Sequence, residues 1–504
     1  MWPQAFLTIS LFILFTGVQA ESSKSILDFG AKGDGKNLCT EAIQAAINAA
    51  HDDGGGTVVV PSGYFLTGTI QLKSNVNLHL KKNAWLVGST NIEDYYSLSK
   101  TTATYQWPSL IVANNASHVS ITGKGNIDGQ GKELALNIDD KFYAGQLDSS
   151  LYQLKEKRPV AHVRPMLLQF VNCLYVGIKD VNLYNASSWV QTYDLCKFVS
   201  IDGIKVMSTS YWNNDGIDIV DCHNVRISNC FVNSSDDGIC LKSYKRRNNE
   251  VAINDSITIT NCIVRSSASA VKLGTSSYGG FKNIDISDIK VYDTYRSAIA
   301  IESWENGIIE NVKVKNIRSW NTGNAIFIRL GSRHGFEKTT PGSIKNVQIS
   351  NVKVTVPYRQ PDWAYELRGP ALPFFHNIFP ASIVGLEDLP VEEILMEDIK
   401  ITYPGGGNAA YANAPIDRLN EIPENASDYP EFSMFGELPA WGLYVRHASG
   451  ITMRNIRLKA KNPDYRYPVV FDDVKNSKIE ALVVKGERKK KDIILNNSDV
   501  PKQN

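Results

Sequence analysis

Two short stretches carry the residues best suited to chemistry. Asn213-Asn214-Asp215-Gly216-Ile217-Asp218 is followed by Ser234-Ser235-Asp236-Asp237-Gly238-Ile239. Asp215 and Asp236 lie 21 residues apart, and similar segments recur around them. On neighbouring turns of one coil, equivalent residues stack about 4.8 Å apart. The spacing therefore predicts Asp215 stacked on Asp236, with Asp237 and Asp218 extending an acidic patch. Carboxylates this close repel, which raises at least one pKa and keeps that group protonated. One protonated and one ionised carboxyl make a general acid/base pair, of the kind that hydrolyses sugar bonds. Separation then sets stereochemistry, about 5 Å for retention and about 6.5–9.5 Å for inversion. The same residues have a plainer use. Asn-Asn-Asp-Gly is a good turn sequence, and Asp-rich solenoid turns bind calcium or face solvent.

An acidic patch of this kind needs a repeating scaffold, and the chain supplies one. From about residue 118 a core of apolar-x-Asn/Asp-apolar recurs: Ile178-Lys179-Asp180-Val181, Ile201-Asp202-Gly203-Ile204, Ile227-Ser228-Asn229-Cys230, Ile259-Thr260-Asn261-Cys262, Ile286-Ser287-Asp288-Ile289 and Ile309-Glu310-Asn311-Val312. Later copies follow at Ile349, Met396 and Met453. Asn, Asp or Gly at the third position suits a left-handed bend. The flanks alternate apolar and polar, as half-buried strands do. Spacings of 23 to 32 residues fit solenoid turns, and no helix-period segment separates the copies. The reading is an all-β, single-stranded parallel β-helix. A β-propeller would need hairpins, whose turn signals are scarce.

At the N-terminal end, Thr40 reads as the cap of an amphipathic helix over 41–50, a short lid for the open end of the stack. The preceding glycine-rich turn lacks the phosphate-loop pattern, since Asn37 follows Lys36. Two inserts break the rhythm, near 358–390 and 404–439. Long loops of repeat proteins tend to gather on one face and wall a site. Residues 1–20 read as a signal peptide with a short apolar run and a small-residue end at Val18-Gln19-Ala20. The expected organisation is then a cap with the first turns over 21–115, a catalytic β-helix over 116–485, and a charged tail over 486–504. Secretion or export to a periplasm follows from the leader.

Charge is nearly balanced, with 53 basic and 52 acidic residues. That gives no reason to expect nucleic acid or a membrane surface as partner. No run is long and apolar enough to span a bilayer. Seven cysteines leave at least one unpaired. Cys230 and Cys262 occupy equivalent repeat positions, which favours small buried hydrophobes over a disulfide framework. None has zinc spacing.

With these motifs in order, the chain resembles family 28 glycoside hydrolases, the polygalacturonase family. Asn213 to Asp218 is similar to that family's Asn-Thr-Asp motif, and Asp236 to Lys242 to its paired-Asp motif. Arg164 to Phe170 and Asn185 to Trp189 match the preceding rungs, and Asp28 to Gly35 the N-terminal cap of its exo-acting members. The resemblance implies a right-handed β-helix and inverting hydrolysis of a polysaccharide without metal or other cofactor. It implies Asp236 as general acid, with Asp215 and Asp237 activating water. Two motifs depart from the pattern. Ser269 stands where Gly-His-Gly places its His, and Ala300-Ile301-Glu302 where the family has Arg-Ile-Lys. Both family motifs serve substrate binding, so the departure bears on which sugar is cut. Replacement cations are Lys242, Lys272, Arg296 and Arg329. Glu302 would repel a uronate and favour neutral hydroxyls. Trp189, Trp212 and Trp304 are candidate sugar platforms. The expectation is a secreted, exo-acting hydrolase of pectin-type polysaccharide, polygalacturonan or rhamnogalacturonan. The alternatives are a β-helix polysaccharide lyase using calcium and a non-catalytic glycan-binding β-helix.

Overall fold

Isoleucine and valine alternate with polar residues over most of the chain, and each such run becomes a strand that buries every second side chain, as along Val76–Leu80 and again along Ala84–Gly88. The computed structural model describes residues 23–96, 107–246, 250–334, 341–368, 372–412, 416–486 and 492–501. The leader read over 1–20 lies outside the described residues. The strands wind into a right-handed parallel β-helix, in which each strand hydrogen-bonds to its equivalents one turn before and one turn after. One face runs through Met166–Val171, Gln191–Asp194, Ile217–Val220, Ile239–Ser243 and Val271–Ser277 into Lys290–Ser303. This face presents the acidic stretches at its leading edge.

The corner residues behave as their types predict. Asp180, Gly203, Asn229, Asn261, Asp288, Asn311, Asn351, Asp398 and Asn455 all have positive φ. The strain of that conformation, about 1–2 kcal/mol for most residues, is least for Gly, Asn and Asp. Side-chain amides then link successive turns, as Asn316 to Asp288 (2.9 Å) and Asn351 to Asn316 (2.7 Å). This ladder corrects one repeat assignment. Asn316, not Asn311, is the equivalent of Asp288. Asn311 stacks on Asn283 at 3.1 Å in a second corner column. Each turn has two such corners, so the Ile286-to-Ile309 spacing is not a turn length.

The N-terminal lid is the helix Thr40–Asp52, which buries Ile43, Ala46, Ile47 and Ala50 against the first turns. Thr40 is its first residue rather than its cap, and its hydroxyl accepts a bond from Gly68 N at 2.8 Å. A second helix, Gly131–Tyr143, has no counterpart in the repeat pattern. The chain after Gly486, read as a solvated tail, adds a strand at Ile493–Asn496 to the face that carries the acids. All seven cysteines are buried and free, so stacking, not cross-linking, is their use here. Among the described residues no helix is long and apolar enough to cross a membrane.

Candidate active site

Register decides which acids meet. Ile217 pairs with Ile239, a step of 22 residues. Gly216 N donates to Asp237 O and Gly238 N to Ser269 O. Asp215 therefore stacks on Asp237 and Ser269, and Asp236 lies one residue to the side. The expected stacking of Asp215 on Asp236 is off by one. Gly216 and Gly238 make the close stacking possible. A Cβ on Gly238 would stand 2.4 Å from Val264 Cγ1 and 2.6 Å from Ala270 O. The outcome is a compact trio: one carboxylate oxygen each of Asp215, Asp236 and Asp237, all within 4.8 Å of one another. Asp215 and Asp237 are buried and Asp236 is the most open.

The turns that carry the trio are tied down. Asn214 is fully buried, donating to Ala186 O (2.9 Å) and Ser188 O (2.8 Å) while accepting from the Ser208 hydroxyl (2.9 Å). Arg164, also fully buried, reaches Trp212 O and the Asn213 side chain, both at 2.7 Å. Ser266 donates to Asp236 O at 2.6 Å. Asp237 is held twice, by Ser269 N on Oδ1 (3.0 Å) and by the Lys272 ammonium on Oδ2 (3.4 Å).

The candidate cations are committed to protein acids. Lys242 Nζ lies 2.9 Å from Asp215 Oδ2, bonds Asp218 as well, and sits 4.4 Å from the Trp189 ring centre. Lys272 bridges Asp237 and Glu302, each at 3.4 Å, and touches the Tyr429 hydroxyl at 3.3 Å. Arg296 pairs with Glu431 at 3.0 Å. Arg329 is buried and clamps Gly385 O and Glu424 O, so it anchors an insert rather than a substrate. Trp304 is buried between Tyr429 and Arg333, and an arginine also covers Trp212, from Arg158. Glu302 is not a bare repulsive charge, since Lys272 and the Thr275 hydroxyl hold it. Asp218, Tyr429 and Glu431 complete the centre. Asp218 is legible from its motif; the other two come from an insert with no local signal.

Electrostatics divides the acids. Burial, then the adjacent Asp237 charge, pushes Asp236 upward. Burial also acts on Asp237, but Lys272, Lys242 and Arg296 together hold it below the ordinary carboxylate value. Burial lifts Asp215, against the pull of Lys242. It lifts Asp218 to about 6 and Glu302 to about 7, against Lys242 and Lys272 respectively. Both lysines stay charged, because the carboxylates outweigh the burial that opposes their charge. Asp236, shifted upward, beside Asp237, shifted downward, sets a carboxyl that favours its proton next to one that favours its charge. The oxygens of the trio could equally ligate a cation, though two ammonium groups already supply positive charge there.

The sequence profile of glycosyl hydrolases family 28 matches residues 53–360. The chain belongs to that family. A probable polygalacturonase of Vitis vinifera is 27% identical over 365 residues, 69% of this chain and 63% of that protein, so the match spans under two thirds of that relative's length. An exopolygalacturonase of Zea mays is 24% identical over 445 residues, 81% of this chain and 93% of its own. The crystal structure of a hyperthermoactive exopolygalacturonase from Thermotoga maritima superposes with a TM-score of 0.60 at 24% identity, covering 76% of this chain and 87% of that one. The family's fold is thus the fold seen here.

Proposed function

We propose that the chain is an exo-acting hydrolase of pectin-type polysaccharide that inverts the anomeric centre. The observation that carries this reading is the trio of Asp215, Asp236 and Asp237 within 4.8 Å, with Asp236 and Asp237 shifted in opposite directions. Asp236, half-buried and shifted upward, donates its proton to the leaving oxygen. Asp237, whose shift favours the ionised form, takes the proton of the water that attacks from the other face, and Asp215, beside it on the adjacent turn and paired with Lys242, orients that water. Both oxygens of Asp237 are engaged, by Ser269 N and Lys272, which suits a carboxylate that orients water rather than one that attacks carbon. The 4.8 Å limit is between single oxygens and is not the carboxyl-to-carboxyl separation that sorts inversion from retention, so product stereochemistry is the direct test of this assignment. Lys242 and Lys272 position the acids.

Exo-action rests on the inserts. Asp362 accepts from Ser267 at 2.7 Å and Tyr365 reaches Asn233 at 2.8 Å, while Tyr429 and Glu431 meet Lys272 and Arg296. Both inserts therefore pack against the acid-bearing face, where a groove closed at one end would admit a chain end. The leader over 1–20 would export the enzyme to its polysaccharide. Sizing the first products from homogalacturonan and rhamnogalacturonan tests the reading. Short end-released products are expected, and a first burst of mixed long oligomers overturns exo-action.

A further inference from the structure

The second insert reaches the acid centre through Tyr429 on Lys272 and Glu431 on Arg296. Its stem is held elsewhere, by Arg446 and His447. These two stand near the end of the strand Ala440–Ser449, on the acid-bearing face further along the stack. Both are buried, His447 to 6% exposure. Each meets Glu424 Oε1, His447 from Nε2 at 3.0 Å and Arg446 from Nη2 at 3.2 Å. Arg446 Nη1 also donates to Ile422 O at 2.7 Å, and Ala426 O accepts from Ser332 N at 2.7 Å. Tyr429 follows Glu424 by five residues and Glu431 by seven, so what fixes Glu424 also fixes their approach to the centre.

One side of the His447 ring belongs to the scaffold. The residue turns left-handed, at φ 48°, and shares a corner column with Asp473 and Asn497 of the next two turns. Its Nδ1 meets Asp473 Oδ2 at 2.9 Å, and Asp473 Oδ1 accepts from Asn497 at 2.9 Å. That bond extends the corner ladder and needs only a neutral ring. At Nε2 two contacts exclude each other. Arg446 Nε, 3.0 Å away, can donate only to a lone pair there. Glu424 Oε1, also at 3.0 Å, can accept only from a proton there. With Nδ1 donating to Asp473, the neutral ring serves Arg446 and turns a lone pair on Glu424. The imidazolium serves Glu424 and leaves Arg446 Nε to Asp472, 3.3 Å away. The charged groups around the ring are Glu424 from the insert, with Arg329 on its carbonyl, Asp472, Asp473 and Lys475 from the next turn, and Arg446 beside it. The preceding turn presents Gly385, which has no side chain. Burial opposes the charged ring, but bonds to Glu424 and Asp473 outweigh it and hold its pKa above the usual histidine value.

We infer that His447 is a pH-dependent positioning residue, whose imidazolium ties Glu424 to Asp473 and so keeps Tyr429 and Glu431 on the acid centre, and whose neutral ring lets the Glu424 carboxylate go. The inference rests on the hydrolase reading only for what the centre does. The ring binds its proton more tightly folded than unfolded, so the tie is complete in acid and is lost as pH rises through the folded value. Arg329, Ser332 and the Arg446 bond to Ile422 O do not titrate there, so the insert loosens without detaching. Water then reaches Lys272 and Arg296 and screens the charges that hold Asp237 ionised. Activity falls toward alkaline pH for a reason seated outside the acid centre.

Amide hydrogen exchange over 416–439, expressed as protection so that the intrinsic pH effect cancels, is followed in the full chain from about pH 5 to about pH 9, either side of an ordinary histidine near 6.5. Wild type is expected to lose about tenfold in protection in one step, the factor of one hydrogen bond to a charged group, with kcat on a galacturonide oligomer falling over the same range. Glu424→Gln removes a charge that favours the imidazolium, so its step should move to lower pH. His447→Gln should show no step. Glu424 is half-exposed, so its variant decides the matter even where His447→Gln does not fold. Constant protection in wild type overturns the inference, as does a step that survives in His447→Gln or one that stays in place in Glu424→Gln. A step in a chain that cleaves no oligomer leaves the latch standing and removes the hydrolase reading. Cleavage without a step does the reverse.

Discussion

Asp236→Asn separates chemistry from folding. In the wild type Asp236 Oδ1 accepts from Asp237 N at 3.0 Å, a bond that an asparagine oxygen can keep. What the change removes is the carboxyl proton proposed to reach the leaving oxygen. A positioned general acid contributes about 10²–10⁴ in rate, so kcat should fall by that factor, or about 3–5 kcal/mol in the barrier. The fold should not suffer. Any charge on Asp236 would lie within 4.8 Å of Asp237 and be repelled by about 3.5 kcal/mol or more at an effective dielectric of about 20, and the substitution removes that repulsion. The variant should therefore unfold at the same denaturant concentration as wild type or a higher one. A substrate with an acidic phenol as leaving group needs no proton, and on it the variant should lose far less activity. Equal losses on natural and activated substrates refute the role of Asp236, as does a loss under tenfold on the natural one.

Lys242→Met strips two buried carboxylates of their partner, which should cost about 3–5 kcal/mol at neutral pH, read from urea unfolding, with kcat falling because Asp215 loses its support. Glu302 and Asp218, pushed up to about 7 and about 6, hold protons in the folded chain that the unfolded chain has released. Their contribution to stability is therefore greatest in acid and declines as pH rises from about 4 to those values, by up to about 1.4 kcal/mol per unit for each group. Glu302→Gln should flatten the decline between about pH 5 and 7, seen in unfolding midpoints taken across that range. Gly238→Ala forces a methyl against Val264 and the Ala270 carbonyl, so a loss of about 1–3 kcal/mol and displaced, less active acids are expected. Because the cysteines are free and buried, thiol reagent should label them only after denaturation, and reductant should leave the melting temperature unchanged.

Much of this was legible because a parallel β-helix repeats its local rules. The residues picked as corner positions do turn left-handed, since only small or amide-bearing types adopt that conformation cheaply. Asp215 and the Asp236-Asp237 pair were legible because they sit on consecutive turns. The exact register was not, since a spacing of 21 or 22 residues differs only by how the intervening loop is wound. Two corner columns per turn share one residue pattern, which is why Asn311 was placed in the wrong one. The partners of the candidate cations were hidden for another reason. Glu431 meets Arg296, and Tyr429 meets Lys272, across long stretches of chain, through an insert with no periodic signal. Lys242 and Lys272, read as replacement cations with a solvated surface position as the alternative, are both buried among acids that the stacking itself brings together.

The configuration of the first product tests the acid centre most directly. Proton NMR during the opening minutes of hydrolysis of an α-linked galacturonide oligomer reports the new reducing end before it equilibrates. Asp236 as acid, with water held by Asp215 and Asp237, predicts the β anomer. An α anomer would make one of the buried carboxylates a nucleophile, and an unsaturated product absorbing in the ultraviolet would replace hydrolysis by elimination.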